Sequence, residues 1–273
     1  MKFNGKNILI TGGASGLGRL IAIKAIEKQA SSVILWDINE ANLDRVVNEL
    51  MANPANTSTK VKGQIVDVSN NDSVCKAFSV SEQFAGQIDI LVNCAGIVTS
   101  NRLFCENSID EIDRTFSINT AAPMYVAHAA LPAMIKRNCG HICNIASAAG
   151  MISNPRMSIY AASKWAVIGW SDSVRIELSE MKSKVRITTV APYYINTGMF
   201  DGVQSHILPI LDPQKTVNKI VRAIEKDVDF KGIPFSFHFI RLGQGLLPTK
   251  FFDWFFGQVF GIYHTMDNFT GRK

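Results

Sequence analysis

The 273-residue sequence has few charged residues, few cysteines and no long uncharged apolar run, and each scarcity excludes a class of protein. Charged residues make up 19% of the chain against 47% for hydrophobic ones, which excludes a disordered chain and predicts a full-sized core. No uncharged apolar run approaches the ~18 residues that a membrane-spanning helix requires. The 28 basic residues only slightly outnumber the 23 acidic ones and are scattered, so we do not expect nucleic acid as a partner.

The five cysteines are odd in number, widely spaced and without a Cys-x-x-Cys pair. This pattern is typical of free thiols in a reducing compartment. Because neither a signal peptide nor an N-terminal anchor precedes the first apolar strand, we expect a cytoplasmic protein. Cys139, His141 and Cys143 alternate in sequence and suit one side of a strand. Two thiols and one imidazole lack the fourth ligand of a zinc site, so we expect buried structural cysteines and no metal.

Short β-branched runs alternate with longer stretches of helical periodicity. The predicted strands are 7–11, 33–36, 61–66, 88–92, 141–145 and 185–191. The predicted helices are 16–29, 40–51, 70–84, 109–137 and 158–181. Nearly all-apolar strands separated by helices indicate a parallel sheet that is covered on both faces. The predicted fold class is therefore α/β, with a single doubly wound domain.

The composition changes after residue 229, since 11 of the 25 aromatic residues lie within 230–263. We therefore expect a catalytic domain at 1–229 and an aromatic-rich C-terminal extension at 230–273. The pattern at 250–263 predicts a helix that is apolar over most of its circumference and must be buried. The favoured interpretation is packing on its own domain or on a neighbouring subunit. The alternatives are a lid over an apolar substrate pocket, or peripheral membrane contact through 251–263.

A glycine-rich turn, Thr-Gly-Gly-Ala-Ser-Gly-Leu-Gly at residues 11–18, follows the first predicted strand and opens the first predicted helix. Gly12 permits the tight turn, Gly16 removes a side chain where a pyrophosphate must approach, and Gly18 lets the helix pack close to the strand. The helix N-terminus offers N–H groups and a positive dipole end to phosphates. Glycine turns also simply close loops, but the strand–turn–helix context predicts a dinucleotide-binding Rossmann turn.

The second predicted strand is followed by Asp37, which lies 19 residues after Gly18. A carboxylate at this position accepts hydrogen bonds from both ribose hydroxyls of NAD and repels the 2′-phosphate of NADP. The alternative is that Asp37 caps the helix that begins near Glu40, and both roles are compatible. Because residues 13–15 include no Lys or Arg, the sequence favours NAD over NADP.

Tyr160 and Lys164 are four residues apart in a predicted helix, so they share one face of it. Ser147 follows the fifth predicted strand, where α/β sheets present their chemistry. Oxidation of an alcohol needs a base, and a free tyrosine with a pKa near ~10 is a poor one at neutral pH. We expect the Lys164 ammonium and a positive nicotinamide ring to lower the pKa of Tyr160, and Ser147 to hold the substrate oxygen. Alone, Tyr-x-x-x-Lys is common in amphipathic helices; with the glycine turn it indicates catalysis.

Together, these motifs resemble those of the short-chain dehydrogenases/reductases over roughly the first 200 residues. Residues 11–18 match the family's TGxxxGxG turn, and Asn-Cys-Ala-Gly at 93–96 matches its NNAG motif with Cys94 in the second slot. The family's Asn–Ser–Tyr–Lys tetrad is matched in order and spacing by Asn119, Ser147, Tyr160 and Lys164. The resemblance implies that Asn119 holds a water that relays protons to the lysine, and that Lys164 also grips the nicotinamide ribose.

The resemblance further implies a set of cofactor contacts. Asp67 takes the position that touches the adenine, and Ile195 and Thr197 take those that orient the carboxamide. Tyr193 stands where the family's PGxxxT stretch has glycine, a departure that bears on the loop shape and the substrate pocket. The implied cofactor-binding residues are Gly12, Ser15, Gly16, Leu17, Gly18, Asp37, Asp67, Asn93, Ala95, Gly96, Tyr160, Lys164, Pro192, Ile195 and Thr197.

Short strings at 35–39, 131–134 and 266–269 resemble the retinol and 17β-hydroxysteroid dehydrogenase branch of this family. The resemblance implies an NAD(H)-dependent enzyme that acts on CH–OH donors. Its substrate would be a secondary or long apolar alcohol, such as a retinol, steroid or lipid, or the matching carbonyl. The family also implies a homodimer or homotetramer. The alternative is a nucleotide-sensing or scaffold protein with incidental turnover, against which the complete tetrad counts.

Overall fold

The centre of the molecule is one parallel sheet, seen in a computed structural model that describes residues 1–205, 208–259 and 261–271. Its strands are β1 (Asn7–Thr11), β2 (Ser32–Asp37), β3 (Lys60–Ile65), β4 (Ile90–Asn93), β5 (His141–Ile145), β6 (Arg186–Pro192) and β7 (Phe230–Ile233). They are adjacent in the order β3-β2-β1-β4-β5-β6-β7, and each pair is parallel. The predicted doubly wound α/β class is confirmed. The order reverses between β1 and β4, at the switch point where such sheets bind ligands.

Helices cover both faces of this sheet. They are α1 (Gly16–Glu27), α2 (Glu40–Met51), α3 (Asn71–Ala85), α4 (Ile109–Phe116), α5 (Ala122–Lys136), α6 (Ser158–Glu180), α7 (Pro213–Glu225), α8 (Ile240–Leu246) and α9 (Thr249–Phe252). Alternate strand residues point to opposite faces. Ile8 and Ile10 of β1 therefore pack in one core cluster with α1, α2 and α7, whereas Leu9 packs in a second cluster with α3, α5 and α6.

A third apolar cluster lies beside the carboxyl edge of the sheet. It joins α6, the segment after β6 and the C-terminal residues through Tyr160, Tyr194, Phe252 and Ile262. The C-terminal segment thus contributes an inner face to the folded body. Its exposed side chains lie on the outside of the same elements.

The predicted strands and helices are present, with ends that differ by up to two residues, but two predicted helices are interrupted. A π-helical turn, Ser117–Ala121, separates α4 from α5 within the predicted helix 109–137. The predicted helix 250–263 is divided into α9, a π-helical segment Asp253–Val259 and a 3₁₀ turn Ile262–His264. Gly261 there has a φ of +66°, a left-handed conformation that ends a helix, and residue 260 lies outside the described residues.

The sequence pattern did not predict α7 and β7. The helix buries Val217, Ile220 and Ile224 on one face, a periodicity that the sequence does contain. The strand is short and includes Lys231 and Gly232, so its apolar pattern is weak. Because β7 pairs with β6, the sheet continues past the domain boundary expected at residue 229.

The strand β5 carries His141 and Cys143 into the core, whereas Cys139 lies in the loop before it and is half-buried, so the expected burial holds for Cys143 and not for Cys139. Cys143 is a buried free thiol, and the fully buried His141 ring contacts the Thr188 hydroxyl at 2.8 Å. Within the described ranges, no group of three or more His, Cys, Asp or Glu side chains is placed to hold a metal ion. Over the same residues, no helix is long and apolar enough to cross a membrane.

Candidate active site

A cavity of about 540 Å³ opens at the carboxyl ends of the central strands, across the switch point of the sheet. Its volume and its apolar walls with a few polar groups are typical of small-molecule sites. The sequence-predicted residues that line it are Gly12, Ser15, Gly16, Leu17, Asp37, Asp67, Ala95, Gly96, Ser147, Tyr160, Lys164, Pro192, Ile195 and Thr197. Gly18, Asn93 and Asn119 are not part of this wall. The asparagines line a much smaller adjacent void with Lys164.

The glycine turn packs directly against the loop that follows β4. Gly12 has a φ of +67°, and a Cβ there would lie 2.9 Å from the backbone of Ala95. A Cβ at Gly18 would collide with the carbonyl oxygen of Gly12, which is why Gly18 lies behind the cavity rather than in its wall. The Thr11 hydroxyl accepts hydrogen bonds from the N–H groups of Cys94 and Ala95, each at 3.1 Å. These contacts fix the floor of the cavity.

Asp37 points into the cavity from the end of β2. One carboxylate oxygen accepts a hydrogen bond from Ala14 N–H and the other from Asn39 N–H, each at 3.0 Å. The cap of α2 is Asn39, whose side chain accepts from Asn42 N–H at 2.9 Å. Asp37 therefore fastens the glycine turn to β2, and the alternative that it caps α2 is wrong.

Asp67 lines the same end of the cavity, and its carboxylate accepts hydrogen bonds from the N–H and hydroxyl of Ser69 at 2.9 and 2.6 Å. Asn93 is buried behind this end. Its amide donates to the Asn144 side chain at 2.8 Å and to the Pro123 carbonyl at 3.3 Å. Because these partners hold the Asn93 amide within the protein, Asn93 supports the cleft rather than lining it.

Asn119 occupies the π-helical turn between α4 and α5. Its side chain accepts from Ile97 N–H at 2.8 Å and donates to the Ile97 carbonyl at 2.9 Å, which resembles a strand pairing. It also donates to the Ser163 hydroxyl at 3.1 Å. A Cβ at Gly96 would lie 3.3 Å from Asn119 Oδ1 and 3.5 Å from Lys164 Nζ, so both side chains approach the Gly96 backbone.

Ser147, Tyr160 and Lys164 are all buried and line the cavity together. The helix α6 carries the tyrosine and the lysine one turn apart, and Lys164 Nζ lies 5.7 Å from the centroid of the Tyr160 ring. The lysine donates a hydrogen bond to the carbonyl of Ile145, the last residue of β5, at 3.1 Å. The Ser147 hydroxyl accepts from Ala149 N–H at 3.1 Å, which fixes it at the start of the loop after β5.

Burial controls the acidity of these groups. It raises the pKa of Tyr160 to about 12, and a hydrogen bond from Ser147 opposes that shift. It also lowers the pKa of Lys164 to about 8, because a buried ammonium loses its hydration. The expected lowering of the tyrosine pKa by the lysine is therefore not found in the protein alone. Desolvation of the buried phenolate is the largest effect on this pKa and outweighs the hydrogen bond from Ser147.

The part of the cavity beside Tyr160 and away from the glycine turn is built from residues that the motifs did not identify. Asn154 donates to the Tyr194 hydroxyl at 2.9 Å and to the Thr265 hydroxyl at 3.0 Å, and those two hydroxyls lie 3.0 Å apart. The other residues here are apolar, and they include Ile152, Met157, Met199, Phe200 and Ile262. Asn154 and Tyr194 were within reach of sequence reasoning, because they follow Ser147 and Pro192 closely. Ile262 lies in the apolar segment 250–263, for which a lid over an apolar pocket was one alternative, whereas no sequence motif pointed to Thr265.

The tyrosine at the family's usual glycine position, Tyr193, belongs to this wall. Its hydroxyl lies 3.0 Å from the Ser205 hydroxyl, and its ring packs on Tyr194 and Phe237 with centroids 4.7 and 5.5 Å away. The departure thus adds an aromatic side chain to the wall and ties the segment after β6 to the C-terminal segment.

Comparison with known proteins agrees with this geometry. Residues 6–207 match the family described as short chain dehydrogenase. Over 273 residues the chain is 35% identical to epidermal retinol dehydrogenase 2 of Mus musculus, an alignment that covers 98% of this chain and 86% of that protein. It is 34% identical to estradiol 17-beta-dehydrogenase 11 of Pongo abelii over 248 residues, or 90% of this chain and 81% of that one.

Similarity also extends to a solved structure. A short chain dehydrogenase/reductase from Burkholderia phymatum, crystallised in complex with NAD, superimposes with a TM-score of 0.80 at 25% identity. The match covers 90% of this chain and 95% of that one.

Proposed function

The chain belongs to the short-chain dehydrogenase family, and from that premise we propose that it interconverts an apolar secondary or long-chain alcohol with its carbonyl by Ser–Tyr–Lys chemistry. Family membership makes it an oxidoreductase that acts on CH–OH groups with a nicotinamide cofactor. The observation that supports the proposed chemistry and substrate is the position of Ser147 and Tyr160. They line one cavity together with the glycine turn and Asp37 and with an apolar wall.

The cleft fits NAD. The glycine turn and the N-terminus of α1 line the cavity, and Asp37 presents a carboxylate beside them. In this assignment Asp37 holds the adenosine ribose and disfavours a 2′-phosphate, and Asp67 lies at the adenine. Lys164 holds the nicotinamide ribose. When bound, the oxidised nicotinamide accepts a hydride and brings a positive charge to the buried end of the cavity.

Tyr160 moves the proton in either direction. For reduction, the raised pKa keeps the phenol protonated at neutral pH, which is the form that donates a proton to the developing alkoxide. For oxidation, the phenolate takes the proton of the substrate hydroxyl. Burial disfavours this form in the protein alone, and a neighbouring positive charge stabilises it. Ser147 donates a second hydrogen bond to the substrate oxygen, which fixes the reacting carbon.

We infer the substrate class from the apolar wall beside Tyr160. Met157, Phe200 and Ile262 line it, and the polar groups of Asn154, Tyr194 and Thr265 bond to one another. A substrate that extends from Ser147 toward this wall therefore meets mainly apolar surface. The retinol and estradiol dehydrogenases to which the chain is similar have names that agree with such a substrate.

The test is NADH formation by the purified protein with NAD and a panel of alcohols that includes retinol, hydroxysteroids, long-chain secondary alcohols and short polar ones. We expect turnover of the bulky apolar members and little of the short polar ones. The opposite preference would contradict the apolar substrate. Tight NADH binding without turnover of any alcohol, or of the matching carbonyls with NADH, would instead favour a nucleotide sensor.

A further inference from the structure

The C-terminal part of the chain exposes large apolar side chains on two neighbouring stretches, 235–246 and 249–259. On the 3₁₀ turn Phe235–Phe239 and α8 they recur every three or four residues, and on α9 and the following segment they continue. We call these side chains the C-terminal apolar surface: Phe235, Phe239, Leu242, Leu246, Phe251, Trp254 and Val259. Leu246 is 73% exposed and Trp254 54% exposed, values typical of surface polar residues. Exposed aromatic and leucine side chains grouped in this way are typical of interaction sites.

The elements that carry this surface are fixed to the body of the protein. Ile240, Phe237 and Phe252 are buried in the cluster that contains Tyr160 and Tyr193, so the exposed residues of the same elements point away from it. Gly243 of α8 lies against the ring of Phe252 in α9. The Gln244 amide donates to the Met151 carbonyl at 2.7 Å, which joins α8 to the loop after Ser147. The surface is therefore a preformed face.

The charges around this face are mainly positive. Residues 230–259 include Lys231, Arg241 and Lys250 but a single acidic residue, Asp253. Lys231 Nζ lies 6.0 Å from the centroid of the Phe235 ring, and Lys250 is exposed next to Phe251. Arg241 is paired with Asp172 of α6 at 3.3 Å. Phe, Trp and Leu bordered by lysines are the composition of surfaces that lie in the interface of an anionic membrane.

We propose that the C-terminal apolar surface docks the protein on an anionic phospholipid bilayer, with Leu246 and Trp254 inserted at the boundary of headgroups and acyl chains. Charge complementarity favours lipid over a second copy of the chain. A two-fold contact would place the same face of both copies together. Lys231 and Lys250 would then meet with Asp253 to balance them, since Asp172 is already paired with Arg241. Anionic headgroups complement Lys231 and Lys250 while the acyl region receives the apolar side chains.

The test is co-sedimentation of the full chain with vesicles of phosphatidylcholine alone or with one quarter phosphatidylserine. We expect binding to the phosphatidylserine vesicles that weakens with added salt, and weaker binding to phosphatidylcholine. The double variant Leu246→Ser, Trp254→Ser should lose at least about tenfold in partitioning, since each large apolar side chain contributes to insertion. The matched control is Ile109→Ser, Ile176→Ser, which removes side chains that are 70% and 51% exposed elsewhere and should bind like the parent.

The depth of insertion can be measured separately by fluorescence quenching. Brominated phosphatidylcholine in the vesicles should quench the fluorescence of Trp254. The conservative variant Trp254→Phe should still bind the vesicles but should lose that quenching. Thermal unfolding midpoints equal to that of the parent establish that the variants are folded.

The proposal is overturned if the parent stays in the supernatant with both vesicles, or if the two double variants lose binding equally. It is also overturned if Leu246→Ser, Trp254→Ser dissociates an oligomer in light scattering while vesicles bind nothing, which would assign the surface to a second copy. All these measurements report membrane binding, so their outcome is independent of the turnover measured with the alcohol panel.

Discussion

The two ends of the cavity are built in different ways. The nucleotide end comes from short local segments at the carboxyl ends of neighbouring strands, and its contacts run mainly through backbone groups and Asp37. The substrate end comes from three segments that are far apart in sequence and are joined by the side chains of Asn154, Tyr194 and Thr265. A local motif therefore predicts the first end, whereas only tertiary packing determines the second.

The largest effect is expected at the junction of the two ends. Tyr160→Phe removes the proton-transfer group while leaving both walls in place, so kcat/KM for the alcohol should fall roughly 10²–10⁴-fold. The dissociation constant of NADH, measured by fluorescence, should change little. Tyr125→Phe in α5, which does not line the cavity, is the control and should behave like the parent. Equal activity of Tyr160→Phe and the parent would refute the assigned chemistry.

A drop in pH tests the comparison from outside, because it acts on a buried group that belongs to neither end of the cavity. Burial lowers the pKa of His141, at the start of β5, from 6.5 to about 4. The unfolded chain takes up this proton below about pH 6.5 and the folded one does not until about pH 4. The free energy of unfolding should therefore fall as the pH drops through that window, by at most about 3 kcal/mol.

Urea unfolding between pH 7 and pH 4.5 checks this prediction. The variant His141→Asn lacks the titrating ring and should show a shallower dependence on pH. The same slope in both proteins would mean that other groups carry the acid sensitivity.

Removing the carboxylate from the nucleotide end should change cofactor choice without changing substrate choice. In Asp37→Ala, loss of the negative charge should raise the ratio of kcat/KM with NADP to that with NAD by roughly tenfold to a hundredfold. Asp44→Ala makes the same change in net charge on the exposed part of α2 and should leave the ratio alone. An unchanged ratio in Asp37→Ala would show that Asp37 does not determine the choice between NAD and NADP.

The smallest effect is expected at the substrate end. Thr265→Val deletes the hydroxyl that meets Asn154 and Tyr194, so the free energy of unfolding should fall by about 1–2 kcal/mol and KM for the alcohol should rise. NADH affinity should stay constant, as measured by titration. Thr270→Val removes an exposed hydroxyl from the same segment and serves as the control. A matching loss of NADH affinity in Thr265→Val would show that the two ends are not separate.

Most of the sheet and the nucleotide end could be predicted, because they depend on local patterns. The bounds of β1, β5 and α2 agree with the predicted ones. The predicted residues of the glycine turn except Gly18 meet Ser147, Tyr160 and Lys164 at the cavity. The predictions that failed concern features that depend on tertiary contacts. The π-helical turn at Asn119 rests on its pairing with Ile97, and the pKa of Tyr160 rises because of burial.

The C-terminal segment shows the same limit. Its composition predicted apolar packing, and the inner side chains of α8 and α9 do pack on the substrate wall. The composition did not reveal that the other side of these elements stays exposed, since hydrophobicity alone does not tell which neighbour covers a face.

The most direct test of an apolar substrate end is the dependence of kcat/KM on chain length in a series of linear 2-alkanols with NAD. Each added methylene buried against the wall of Met157, Phe200 and Ile262 should raise kcat/KM about fourfold until the cavity is full, while NADH affinity stays constant. If kcat/KM stays constant across the series, or is highest for the shortest alcohol, the result would contradict the proposed substrate class.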